Sequence, residues 1–158
     1  MDEIQINLAE VDIDENSDDC QVAAWGEIYL TIGKTSFPFE NWTDVVSSVL
    51  DMWTENIIDF VRKKKTQCTL FFMDGPYNVR VYARKNNYIT LICRDDYGNV
   101  FVRSVVELAT FLEKILICTS SFIDVCKHTA PNYYAMNYTC QKLTSACSVL
   151  QSLVHELR

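Results

Sequence analysis

The side chains best suited to chemistry are few and poorly grouped. Cys126 and His128 stand two residues apart, and a thiol beside an imidazole can act as a nucleophile with its base or as half of a zinc site. Their spacing matches no common zinc pattern, and a core cysteine next to a helix-terminal histidine is the far commoner origin of such a pair. Asp95 and Asp96 are adjacent carboxylates of the kind used in acid–base work, but they open the run Asp95-Asp96-Tyr97-Gly98, where aspartate closes turns by accepting from nearby backbone N–H groups. Asp12, Asp14 and Asn16 begin like a calcium loop, yet Ser17 occupies the glycine position and Ala23 the bidentate glutamate position. The glycines at 26, 33, 75 and 98 are too scattered to cradle a phosphate. No Gly-x-Ser-x-Gly elbow is present, and His128 and His155 are the only histidines. The expectation is a chain that is not an enzyme and needs no cofactor or metal. An unconventional enzyme would require a pocket joining Asp74, Tyr77, His128 or Cys126.

Seven cysteines, at 20, 68, 93, 118, 126, 140 and 147, sit mostly among apolar neighbours and never as Cys-x-x-Cys. They read as reduced core thiols in a reducing compartment. Met1 to Leu8 already carries Asp2 and Glu3 and has no secretory pattern. The greasiest stretch, residues 105–123, is interrupted by Glu107, Glu113 and Lys114 and reads as a buried helix, not a membrane span. A cytoplasmic location without membrane anchoring is expected. The net charge of -7 opposes a phosphate backbone and attracts basic proteins.

The elements that must position these groups follow from periodicity. Ile4, Ile6 and Leu8 alternate as in a strand, residues 12–19 form an acidic exposed loop, and residues 21–32 read as one strand or a hairpin around Gly26. Trp42, Val45, Val46, Val49, Trp53, Ile57, Phe60 and Val61 share a helical stripe, with Asn41 or Thr43 as N-cap and Arg62-Lys63-Lys64-Lys65 at the negative pole of the helix dipole. Alternating runs at 67–73, 77–84, 87–94 and 99–103 are joined by turn residues and predict antiparallel strands. Ser104 and Glu107 have capping-box spacing ahead of a helix carrying Leu108, Phe111, Leu112, Ile115, Phe122 and Cys126 and ending before Pro131. A last helix spaces Met136, Cys140, Leu143, Cys147, Leu150, Val154 and Leu157 by threes and fours. That seam packs either on the preceding helix as a hairpin, the favoured arrangement, or on a second copy as a homodimer. The predicted fold is a single α+β domain over 1–158, an antiparallel sheet of about five to six strands against three long helices.

Arg80, Tyr82 and Arg84, with Tyr88 and Arg94, project from one sheet face. Such a mixture stacks single-stranded bases in some proteins, but the acidic whole argues against nucleic acid, and arginine and tyrosine are frequent anchors of protein interfaces. Trp42-Thr43-Asp44-Val45-Val46, Leu50-Asp51-Met52-Trp53 and Phe71-Phe72-Met73-Asp74-Gly75-Pro76-Tyr77 resemble small bacterial immunity proteins of polymorphic or contact-dependent growth inhibition systems, over roughly residues 25–95. The resemblance implies a non-catalytic cytoplasmic inhibitor of a cognate protein toxin, often a nuclease with a basic groove. Against such a groove the acidic loop residues Asp12, Asp14, Glu15, Asp18 and Asp19 are the first contact candidates, while Arg80, Tyr82 and Arg84 are partner-surface candidates by residue type alone. The alternative is a homo-oligomeric structural or adaptor module assembled through the last helix.

Overall fold

A computed structural model describes residues 2–13 and 23–158. The first sheet holds β1 (Ile4–Asp12), β2 (Trp25–Ile32), β3 (Thr35–Phe37) and β4 (Thr43–Asp44), all antiparallel to β2. α1 (Val46–Arg62) follows, and then a second, antiparallel meander of β5 (Gln67–Phe71), β6 (Tyr77–Ala83), β7 (Tyr88–Asp95) and β8 (Val100–Glu107). Three helices close the chain: α2 (Leu108–Thr129), the short α3 (Pro131–Met136) and α4 (Tyr138–Leu157). The α+β class, the antiparallel pairing and the three long helices agree with the sequence reading. The strands divide into two sheets instead of one, because β3 and β4 are too short to leave any periodic signal and both pair with β2.

α1 lies between β5 and β2, α2 runs along β1 and the end of β8, and α4 covers α1 and α2 from outside. Their shared core is built on Trp53, Phe37, Phe111 and Phe122, all fully buried. The indole of Trp53 donates to the Phe71 carbonyl at 2.8 Å, so its polar edge is satisfied. The seam of α4 is covered within the chain: Cys140, Leu143 and Leu150 are buried and Cys147 half-buried, with Leu153 buried in place of Val154. Among the described residues no helix is long and apolar enough to cross a membrane.

β1 runs past Leu8 to Asp12, a residue expected in the acidic loop, and four other boundaries differ from the predicted ones for local reasons. α1 starts at Val46 with Val45 as N-cap, because Asn41 adopts φ 62° and Thr43–Asp44 pairs with β2. β5 stops at Phe71, since residues 73 and 74 turn to bond Asp44. Ser104 and Glu107 make no capping box: both lie in β8, and the Ser104 hydroxyl donates to Asp2 at 3.0 Å instead. The last helix begins at Tyr138 after Asn137, whose side chain accepts from the Cys140 N–H at 3.0 Å, leaving Met136 in α3.

Candidate interaction surfaces

The first surface is the open end of the β1–β2 pair. β1 carries an irregularity between Ala9 and Asp12, with Glu10 at φ 50°. Opposite it lies Gly26, where a Cβ would come within 3.1 Å of the Val11 Cα and 3.2 Å of the Ala9 carbonyl oxygen. Glycine is required by that close approach, which is the bulge geometry its position suggests. The bulge turns Glu10 and Asp12 to solvent beside Glu27 and Trp25, and 46% of Trp25 remains exposed. None of these three acids has a cation within ion-pair distance among the described residues. Asp14, Glu15, Asp18 and Asp19, which follow Asp12 in the sequence, lie outside the described residues, as do Asn16, Ser17 and Cys20.

The second surface is the outer face of the β5–β8 sheet. The register sets its side chains in cross-strand rungs: Phe71, Asn78, Arg94 and Val100 in one, Thr69, Arg80, Ile92 and Arg103 in the next, then Gln67, Tyr82, Thr90 and Val105. Val79, Val81, Leu91 and Ile89 point the other way into the core. The Arg84 guanidinium donates to the Thr90 hydroxyl at 3.2 Å, which places Arg84 on the same outer face. Arg80, Tyr82 and Arg84 are thereby brought together, as their alternation predicts, and Arg94 and Arg103 join them. None of the four arginines forms an ion pair among the described residues. The Arg94 Nε donates to the Asp95 carbonyl, whereas the Arg80 Nε is shut from solvent with no acceptor. Two carboxylates flank the face: Glu107 accepts from Thr110 at 3.0 Å, and Asp96 accepts from the Asn78 side chain at 3.0 Å.

These two surfaces reflect a charge division that the overall count conceals. Residues 1–44 hold eleven of the twenty-one acidic residues and a single lysine, a net of -10, while residues 45–158 carry +3. Counting charge by segment exposes this in the sequence alone. The net of -7 describes neither half.

The motif residues Trp42, Asp44, Met73, Asp74, Gly75 and Tyr77 meet in space and form a structural joint between the sheets. Asp44 is fully buried, and its carboxylate accepts from the backbone N–H of Val45 (2.7 Å), Met73 (3.0 Å) and Asp74 (3.1 Å) and from the Trp42 indole (3.0 Å). Tyr77 stacks edge-on against Phe37, Phe39 and Trp42, with ring centroids 5.3–5.8 Å apart. A Cβ on Gly75 would stand 3.1 Å from the Trp42 ring. Asp44 carried no sequence signal of this role, since an aspartate just before a helix looks like an ordinary cap.

The remaining chemical candidates are committed to packing and turns. Asp95 accepts from the N–H of Tyr97 and Asn99, both at 2.9 Å, and from the Asn99 side chain at 2.8 Å. The Asn99 bond, together with those backbone bonds, holds its carboxyl below the usual range. Cys126 is buried and shares a hydrogen bond with Cys140 that, with burial, pushes its thiol up. His128 is exposed and its Nδ1 lies 2.7 Å from the Asp124 carbonyl, so the two do not form a common site. Burial pushes Cys68, Cys93 and Cys118 up to about 12, which keeps them protonated near neutrality. All six described cysteines are unpaired. No cluster of three metal-ligating side chains occurs among the described residues.

The geometry defines an α+β protein of two antiparallel sheets and three long helices that separates an acidic hairpin end from an arginine-rich sheet face. No protein-family model matches the chain, and no curated protein and no solved structure is similar to it.

Proposed function

We propose that this chain acts by binding and not by catalysis, as a cytoplasmic immunity protein that neutralises a basic, nuclease-type bacterial toxin. The observation that carries the reading is the acidic end of the β1–β2 pair. Glu10, Asp12 and Glu27 stand unpaired there around the half-exposed Trp25, at the mouth of a segment whose sequence adds four more acids. Uncompensated carboxylates steer a cationic partner and imitate the phosphates in its groove, while an aromatic side chain supplies the apolar anchor that charge alone lacks. The resemblance of residues 25–95 to immunity proteins points to the same class of partner.

The test is a pull-down with the product of the immediately upstream gene, repeated at high salt, alongside a growth assay. Binding that weakens as salt rises, with toxicity relieved by co-expression, supports the reading. A neighbouring product that neither binds nor is toxic overturns it. Assembly through α4 has less support, since α1 and α2 already cover that seam. Light scattering that shows a stable dimer at micromolar concentration would restore it.

A further inference from the structure

We propose that the outer face of the β5–β8 sheet is a docking site for an extended acidic segment of a second protein. Four arginines lie on it, with Lys85 at its edge beside Arg84, Tyr88 and Val105, and the planar fork of arginine matches a carboxylate bidentately. Among the described residues none of Arg80, Arg84, Arg94 and Arg103 lies within ion-pair distance of a carboxylate, although Arg94 stands near enough to Asp95 to help hold its carboxyl down. Arg84 and Arg94 each give one donor to the chain itself, and among the described residues the guanidinium groups of this face are left without a bidentate carboxylate.

Spacing fixes the form of the ligand. Arg94 and Arg80 occupy successive rungs, roughly 7 Å apart along the strands, and Arg80 and Arg103 share a rung two strands apart, roughly 10 Å. An extended peptide repeats same-side carboxylates at the same ~7 Å. Between the arginines lie apolar contacts for the intervening side chains: Ile92 in the middle, Phe71 (45% exposed) and Val100 (51% exposed) at one end. A nucleic acid strand would meet the same cations, but the net charge of -7 on the whole chain opposes a long phosphate backbone. A short acidic segment stays within the arginine field, which is screened over about 8 Å at physiological ionic strength. The proposal is independent of what the acidic hairpin end binds.

Fluorescence anisotropy with the full chain tests it, using labelled probes of about ten units: an alternating Glu-Thr peptide, an alternating Lys-Thr peptide and an oligothymidylate. The Glu-Thr peptide is expected to bind, and to bind less tightly as salt rises, while the Lys-Thr peptide does not. The double variant Arg80→Glu/Arg103→Glu should weaken it at least about tenfold, whereas Lys34→Glu/Lys127→Glu should leave it within about twofold. Because Arg80 is partly buried, Arg103→Glu alone, at an exposed position, serves as the second variant and should weaken binding about threefold. Asp12→Lys/Glu27→Lys should not weaken the peptide, which separates this face from the acidic hairpin end. No Glu-Thr binding at low salt, tighter binding of the oligothymidylate, or full affinity in both arginine variants would overturn the proposal.

Discussion

The acidic end of the β1–β2 pair and the arginine face of β5–β8 are both charged, open and unpaired, yet they are built in opposite ways. The first sits on an irregular pair of strands, with a bulge, a positive φ at Glu10 and a glycine held by close backbone approach. The second sits on a four-stranded sheet whose other face is largely buried in the core. Neither arrangement stabilises the chain through its charges, since like charges without partners repel. The stability comes from underneath, and the charges are left free to meet something else.

Asp44→Ala tests that separation most severely. Asp44 is the joint that ties β4, at the base of the first sheet, to the turn leading into β6. Its loss leaves the indole N–H of Trp42 and the backbone N–H groups of Val45, Met73 and Asp74 without their acceptor in a part-buried setting. Chemical denaturation should report a loss of about 3 to 5 kcal/mol, within the range for a buried polar network deprived of its acceptor. A loss below about 1 kcal/mol would mean that water replaces the carboxylate and that the sheets are tied elsewhere.

Gly26→Ala is the next step down and acts on the acidic side alone. The new methyl would crowd Val11 and the Ala9 and Glu10 carbonyls, all backbone atoms that cannot rotate away. The expected cost is about 1 to 3 kcal/mol. Hydrogen exchange should localise it to β1 and β2, with the amides of β6 and β7 unchanged; uniform loosening would show that the two sheets do not respond separately.

Charge reversals should barely move stability. Asp12→Lys and Arg103→Glu each fall on exposed positions, so thermal melts should shift by no more than about 0.5 kcal/mol either way. Both should be neutral or stabilising at low salt, because each removes a repulsion, and the effect should vanish as salt rises. A marked destabilisation by either would reveal an unrecognised internal partner and remove that region from the candidate surfaces.

Much of this was legible in sequence where periodicity is long. The stripes of α1 and α2 and the alternation in β6 identify their buried faces, and Arg80, Tyr82 and Arg84 fall on one side as alternation requires. What was not legible depends on contacts distant in the chain. Asp44 gains its role from residues 73 and 74, and Trp42 leaves its helical stripe because Asn41 turns the chain before the helix begins. Arg103 joins the arginine face only through the register of β7 with β8, which no local pattern encodes.

The smallest predicted effect concerns a cation cluster that, unlike the arginine face, has a carboxylate paired with it within the chain. Hydrogen bonds from Lys63 (2.7 Å) and Lys65 (2.6 Å) hold the Asp59 carboxyl below its ordinary value. A carboxyl depressed on folding contributes stability that is present above its unfolded value and lost as pH falls through the folded one. Asp59 should therefore titrate below an unstructured aspartate when followed by carboxyl NMR, and Asp59→Asn should remove that titration. Because these groups lie open to water, the accompanying change in stability should be slight. Among the described residues Arg80 and Arg103 have no carboxylate within ion-pair distance, so acid in the same range should leave the resonances of their guanidinium groups unmoved. If those resonances follow an acidic titration, a carboxylate already occupies the sheet face, and the contrast between a paired and an unpaired cation cluster fails.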